Sequence, residues 1–440
     1  MTFNVDRTGT ESSDRMKRTA LMLAFYFPPF AQSTGSQRVL SFVRHLPLHD
    51  WRVVVLTARE RLFPAIDAAS VTLIPSSTEV VRAWGLDVAQ DLSIRGRYPR
   101  WLAIPDRWAA WALGACLQGL RLVRARAPDV LWATFPIPSA LLAAVALQRL
   151  TKLPLVIDLR DPLVYEHWPV DPLSRRVYAW LEHKAVFAAC KVVVTTQGAR
   201  RLYLQRYPQV PPERFCVIAN GVDDDAAQPR AHAMSTQPDE CITLVHSGLM
   251  EVPDRDPSAF FRALAQMRDR AEIQSTGIQI VLRATGRDDE YRRQIAALAL
   301  GDFVTVGSRV SHDEALEEMR SASGLLLFQG QACNRQIPAK AYEYLACRRP
   351  IIGLCDPGGD THDLLARQWG VPYMADMNQS DQIEHTLHTF LNHCRAGTAH
   401  VPPQELVALH GRSHGARELA AVFDAVVNEG VKAGKHAADV

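Results

Sequence analysis

Two α/β halves, each a parallel sheet flanked by helices, form the architecture the sequence predicts, and three observations carry it. Short apolar runs alternate with helical segments along most of the chain, as in βαβ units. The alternation is interrupted once, by the polar, proline-bearing stretch Asp224 to Glu240, and then restarts. The length, 440 residues, is enough for two or three domains at about 150 residues each. The expectation is therefore two Rossmann-like halves, residues 20–223 and 241–410, around a linker at 224–240. Residues 1–19 read as a disordered tail. Residues 411–440 read as a helix (Ala416 to Val427) packing back toward the first half, with Val431 to Val440 frayed. The cleft between the halves is the expected site.

Ala20 to Phe27 ends at Pro28-Pro29 and reads as a strand buried on both faces. Ala31 to Gly35 reads as a small-residue loop, and Arg38 to His45 as the helix after it. Trp51 to Leu56, Asp129 to Thr134, Leu155 to Leu159 and Lys191 to Thr195 repeat the strand pattern. Beyond the linker the strands are Ile242 to Ser247, Ile278 to Arg283, Phe303 to Val306, Gly324 to Phe328, Pro350 to Leu354 and Pro372 to Met374. Ser258 to Met267 and His312 to Ser321 are helices between them, and Ser311 with Glu314 forms a capping box for the second.

Composition narrows the function classes. A 48% hydrophobic and 22% charged chain is neither disordered nor membrane-embedded, and a net charge of +2 leaves no global excess for a nucleic-acid backbone. The eight cysteines form no CxxC pair and have no histidine partners at zinc spacing, which points to a reducing cytosol. No run reaches the roughly 18 to 20 apolar residues of a spanning helix, and Met1 to Thr19 has no apolar core of the secretory kind.

In open parallel sheets, ligands bind beyond the carboxyl ends of the strands, where helix N-termini present free N–H groups to anions. Four segments are expected there. In Pro28 to Arg38, Ser33, Thr34, Gly35 and Ser36 leave the backbone open to a phosphate, and Arg38 opens the next helix. Asp158 to Pro162 (DLRDP) places Asp158, Arg160 and Asp161 at a strand end, where Asp161 before Pro162 also reads as a helix cap. Gly248 to Pro257 holds Arg255; its Asp254-Arg-Asp256 resembles a metal-binding DxD, but a cap by Asp256 before Pro257 explains it more cheaply. In Gln336 to Pro350, Ala339, Glu343 and Cys347 share a helix face with Lys340 beside them, an arrangement a solvated Lys–Glu face would also give.

A set of motifs in this order resembles the family 4 retaining glycosyltransferases of GT-B fold. They are the strand ending in YFPP with its GSQR loop, IPDRWAAW (Ile104 to Trp111), DLRDP, ANGVD (Ala219 to Asp223), HSG (His246 to Gly248) and IPAKAYEYLACRRPIIG (Ile337 to Gly353). The resemblance covers about residues 20 to 400. It implies sugar transfer from a nucleotide-diphosphate donor, UDP- or GDP-linked, held mainly by the C-terminal half, to a glycan or lipid-linked acceptor held mainly by the N-terminal half, with no tightly bound cofactor and no metal. Glu343 matches the second glutamate of the family's E-x7-E motif, which accepts from ribose hydroxyls. Arg255 matches the cation against the diphosphate, with Lys340 and Arg309 as helpers, and Gly35 matches the glycine near it. The implied catalytic set is Arg255, Lys340, Asp158, Arg160 and Asp161. The implied donor-binding set is Glu343, Gly35, Ser36, Arg38, Gly248, Arg309, Arg335, Ile337, Pro338 and Ala339.

There are departures. The first glutamate of E-x7-E falls on Arg335, a phosphate-binding arginine falls on Leu249, and the histidine beside the donor sugar falls near Arg160. They keep open the alternative of a catalytically silent nucleotide-sugar-binding scaffold; a GT-B sugar-nucleotide epimerase is a second alternative, which would require acid/base carboxylates in the cleft. The stretch Arg95 to Trp111 mixes arginines with Tyr98, Trp101, Trp108 and Trp111, with Arg121, Arg124 and Arg126 following; this composition fits lipid headgroups, so a peripheral place at the cytoplasmic face of the inner membrane is expected for an otherwise cytoplasmic enzyme of envelope or exopolysaccharide synthesis. Sugar-stacking aromatics or plain helix packing would account for the same residues.

Overall fold

The computed structural model describes residues 18–31, 34–165, 168–224, 241–252 and 254–438. Most of the expected tail, Ser33, most of the expected linker and the last two residues lie outside the described residues. In the first half, strands β1 (Arg18–Leu23), β2 (Trp51–Ala58), β3 (Glu79–Ala83), β4 (Val130–Thr134), β5 (Leu155–Leu159), β6 (Lys191–Val194) and β7 (Phe215–Val217) form one seven-stranded sheet in the order β3-β2-β1-β4-β5-β6-β7. In the second, β8 (Ile242–Ser247), β9 (Ile278–Arg283), β10 (Val304–Gly307), β11 (Gly324–Gln329), β12 (Ile351–Cys355) and β13 (Met374–Ala375) form a six-stranded sheet in the order β10-β9-β8-β11-β12-β13. Every pairing between these strands is parallel.

The helices are α1 (Thr34–His45), α2 (Val88–Asp91), α3 (Ala109–Arg126), α4 (Pro138–Thr151), α5 (Pro172–Ala188) and α6 (Gln197–Arg206), then α7 (Ser258–Asp269), α8 (Asp288–Ala297), α9 (His312–Ser321), α10 (Ala339–Cys347), α11 (Asp360–His362), α12 (Ser380–Arg395), α13 (Glu405–Leu409) and α14 (Arg412–Ala438). Because the central strands are apolar on both sides, each sheet carries two cores. On one face of the first sheet Leu21, Leu131 and Ile157 pack under α3 to α6, and on the other Met22, Val55 and Trp132 pack under α1 and α14. The long α14 therefore lies against α1, with Phe423 edge-on to Trp51 at 5.1 Å. The second sheet is covered by α7, α8 and α12 on one face and by α9, α10 and α13 on the other.

Several elements differ from expectation. Strand β1 stops at Leu23; Ala24, Phe25 and Phe27 stay buried and Tyr26 is half-buried, and Phe25 joins an aromatic cluster with Trp108 and Trp111. Helix α1 begins at Thr34, so Gly35 and Ser36 are in its first turn rather than in a loop. Among the described residues Asp161 caps no helix: the next one is α5, whose N-cap is Asp171, accepting from the Ser174 N–H at 2.8 Å. The two Asp-Pro pairs carry the same local signal, and the helix forms after the one that an amphipathic run follows. Helix α14 starts four residues before Ala416 and runs on to Ala438 instead of fraying at Val431. The capping box of Ser311 and Glu314 is present at α9, and the Asp256 carboxylate accepts from the Ser258 N–H at 2.9 Å.

Candidate active site

Each sheet has one place where the chain reverses its direction of travel, between β1 and β4 in the first and between β8 and β11 in the second. A crevice opens beyond the strand ends there. In the second sheet the loops leaving β8 and β11 carry Arg255 and Arg335, and α10 starts at the end of the latter. In the first, Gly35 lies in the first turn of α1, the helix after β1, and Arg160 follows β5 next to β4.

The second-sheet group is built around a buried histidine. His246 is fully enclosed in β8; its Nδ1 lies 2.8 Å from the Leu326 carbonyl on β11, and its Nε2 lies 3.1 Å from both Lys340 Nζ and the Gly248 carbonyl. Burial, reinforced by the charges of Lys340 and Arg255, holds His246 well below the ordinary histidine range, so it stays neutral. Burial and then Arg255 also draw the Lys340 ammonium down to about 7, against the opposing pull of Glu343. The lysine lies over the backbone of Gly248, 2.8 Å from where a Cβ would stand, and the φ of +122° there favours glycine. Arg255 Nε donates to Gln329 Oε1 at 3.2 Å, and Gln329, buried at the end of β11, sits under the loop that leads to α10. That helix is capped by Pro338, which has no side-chain oxygen, so the N–H groups of its first turn face outward beside Lys340. One turn on, Glu343 is half-buried and makes no hydrogen bond or ion pair among the described residues. Cys347, expected on the same face, is buried in the core.

The first-sheet residues divide into two roles. Arg160 donates Nε to the Phe135 carbonyl at 2.8 Å and spreads its guanidinium across Gly35, where a Cβ would lie 2.5 Å from Nη1. Gly35 thus serves the close approach of an arginine. Asp161 stands beside it, its carboxyl pushed up by burial and pulled down by Arg160. Arg38 and Asp158, in contrast, are struts. Asp158 is fully buried and takes Arg38 Nη2 at 3.0 Å and Nε at 3.1 Å, while Arg38 also donates to the carbonyls of Ile218 and Ala219. The expectation that Arg38 meets a donor and Asp158 a reacting group is therefore corrected: their hydrogen-bonding capacity is spent joining α1 to β5 and the Ile218–Ala219 segment. Ser36 is likewise buried, against a separate cavity of about 120 Å³ that Pro28, Leu40 and Leu73 line together with His312 and Arg412. Arg309 is exposed after edge strand β10, two strands from β8.

A cleft of about 410 Å³ joins the halves. Tyr165 and Trp168 line it from the first, and Asp254, Cys333, Asn334, Arg335 and Gln336 from the second. Its second wall is clasped to the first half: Thr196 Oγ1 donates to the Arg335 carbonyl at 2.8 Å, and Asp360 accepts from the Gly198 N–H at 2.8 Å and pairs with Arg201 at 3.2 Å. Asp360 in turn donates its N–H to the Asn334 carbonyl, and Thr361 donates to that of Gln336. The structure thus gathers Arg255, Lys340, Glu343, Gly248 and Ala339 at one switch point and Gly35, Arg160 and Asp161 at the other, with Arg335, Ile337 and Pro338 on the loop between Gln329 and α10. Sequence reasoning names His246 only within the HSG motif, without a role, and does not single out Gln329, Thr196 or Asp360. A polar residue at the carboxyl end of an otherwise apolar strand, as in ITLVHS and GLLLFQ, is the available signal for His246 and Gln329.

Comparison with known proteins agrees with this geometry. The fold is that of HepE from Anabaena, solved with UDP and glucose, at TM-score 0.60 and 16% identity over 93% of this chain and 100% of that one. It is likewise that of a UDP-forming α,α-trehalose-phosphate synthase from Burkholderia xenovorans, at TM-score 0.63 and 12% identity over 92% and 100%. A putative UDP-N-acetylglucosamine 2-epimerase from Listeria monocytogenes also matches, at TM-score 0.57 and 11% identity over 94% and 97%. The chain is thus a protein of GT-B fold, two Rossmann-like domains facing a cleft. Residues 33–221 match the family model described as a glycosyl transferase 4-like domain, which supports the resemblance to family 4 glycosyltransferases. A search of curated proteins finds no match.

Proposed function

We propose that this protein is a retaining glycosyltransferase that moves a sugar from a nucleotide-diphosphate donor to a glycan or lipid-linked acceptor in envelope or exopolysaccharide synthesis, at the cytoplasmic side of the inner membrane. The observation that carries the reading is the grouping of Arg255, Lys340 and the open first turn of α10 beside the partnerless Glu343. Two fixed cations and a helix N-terminus suit a diphosphate, and a carboxylate with free lone pairs suits two ribose hydroxyls. That HepE was solved with UDP and glucose supports a UDP-linked donor, and GDP is the alternative base.

In the mechanism we infer, Lys340 and Arg255 stabilise the leaving diphosphate, so that no metal is required. Gly248 lets the backbone come close to it. The acceptor hydroxyl attacks from the face the diphosphate leaves, a phosphate oxygen takes the hydroxyl proton, and the anomeric configuration is retained without a protein nucleophile. Arg160 and Asp161 face the reacting sugar from the other domain, and closure assembles the site.

The test is release of nucleoside diphosphate from UDP- and GDP-sugars in the presence of membrane-extracted acceptor, with the product anomer read by NMR. Turnover with retention, lost in Glu343→Ala, is the expected result. Nucleotide binding without turnover would favour the silent scaffold, a reading that Arg335 and the exposed Leu249 support, and interconversion of the donor sugar would favour the epimerase.

A further inference from the structure

Helices α3, α4 and α5 pack side by side on one face of the first sheet, and their outward side carries large apolar residues that none of the described residues covers. Trp101, just before α3, is 66% exposed, Leu113 61%, Leu117 54%, Val170 81%, Leu173 50% and Trp180 52%. Leu173, Trp180 and the exposed Phe187 recur every seven residues, two helical turns, and form one stripe along α5. Folded monomers rarely leave an apolar surface of this kind bare. The expected aromatic surface is corrected in one respect: Trp108 and Trp111 point into the core against Phe25, so α5 supplies what they do not.

The charge around this surface is predominantly positive, the exception being Asp171, whose carboxylate is kept charged by the Ser174 N–H and hydroxyl it accepts from and by Arg100. Helices α3 and α4 contain no acidic residue. The single acid of α5, Glu182, is buried and taken up by Arg206 and the hydroxyls of Tyr203 and Tyr207. Asp106 turns inward to the Ser139 N–H and hydroxyl, both at 2.7 Å, and Asp171 caps α5. Arg95, Arg97, Arg100, Arg121 and Arg124 are exposed, with no ion pair among the described residues. We propose that this face docks on an anionic lipid bilayer, with the tryptophans and leucines entering the interface and the arginines meeting the headgroups. A second copy of the chain would bring arginine against arginine. The N-termini of α3 to α5 lie at the carboxyl edge of the sheet, the edge that opens on the cleft, and Trp168, 47% exposed, also lines the cleft. Docked this way, the cleft mouth opens at headgroup level, where a lipid-linked acceptor would reach it.

The experiment is flotation of the purified full chain with vesicles of phosphatidylcholine and with vesicles of phosphatidylcholine and phosphatidylglycerol in equal parts. Binding to the anionic vesicles at low salt, weakened at high salt, is expected. Trp101→Ser with Trp180→Ser, and separately Arg121→Glu with Arg124→Glu, are each expected to lower the bound fraction about tenfold. All four positions are solvent-exposed, and unchanged thermal unfolding and nucleotide binding in the variants separate failure of this proposal from misfolding or failure of the transferase reading. No binding to anionic vesicles at low salt, equal binding by both variant pairs and the parent chain, or a concentration-dependent dimer that the variants abolish would each overturn it.

Discussion

Lys340 sits where its own charge is disfavoured, and this gives a pH dependence of known sign. Its amine titrates at about 7 in the folded protein against an ordinary 10.5. A bound diphosphate favours the protonated form, so binding above about pH 7 takes up a proton, and affinity is expected to fall as pH rises from there. Stability runs the opposite way: between the folded and unfolded values the unfolded chain holds the extra proton, so this group makes folding more favourable as pH rises through that window. Calorimetry in two buffers of different ionisation enthalpy measures the uptake, and Lys340→Met is expected to abolish it; an unchanged uptake in the variant would assign the proton elsewhere. Arg335, exposed in the cleft with no ion pair among the described residues, is expected to read a carboxylate-bearing or similarly anionic donor sugar. Arg335→Glu should shift preference toward neutral sugars, and an unchanged ranking of donors would remove that role. Asp158→Ala leaves Arg38 buried without its counter-charge and is expected to cost about 3–5 kcal/mol, read as a lower denaturant midpoint.

At the scale of elements, Ser311→Ala removes the side-chain half of the α9 capping box and is expected to cost about 1 kcal/mol, checked by denaturant unfolding against the parent chain. This box is legible because its two partners are three residues apart in sequence. The central strands are legible for a related reason: buried on both faces, they read as unbroken apolar runs. Strands β3 (EVVRA) and β7 (FCV) are not, because they are short edge strands, and most of their residues are only partly buried. The two Asp-Pro pairs show where local signals stop deciding: Asp171 becomes a cap because α5 forms after it, and among the described residues no helix forms directly after Asp161. Arg38 shows the same limit for charge. An arginine at a helix start reads as a phosphate ligand until the structure places Asp158, 120 residues away, against it. Glu343, Lys340 and Gly248 are named through family resemblance and stand near one another in the structure, whereas the contact of His246 with Lys340 spans 94 residues and no local pattern encodes it.

For the whole molecule, the claim is that two sheets hold one site between their switch points. The domains meet through Asp360, which accepts from the N-terminus of α6 and donates its N–H to the loop that carries Arg335. Asp360→Ala is expected to loosen this clasp and raise the radius of gyration in small-angle scattering. The central claim, that the β8, β11 and α10 group holds a nucleoside diphosphate, is tested most directly by calorimetric titration of the protein with UDP, GDP, ADP and CMP beside Glu343→Ala. Selective binding of one nucleoside diphosphate, lost in the variant, is the predicted result; binding of none of the four, or binding that the variant leaves intact, would contradict it.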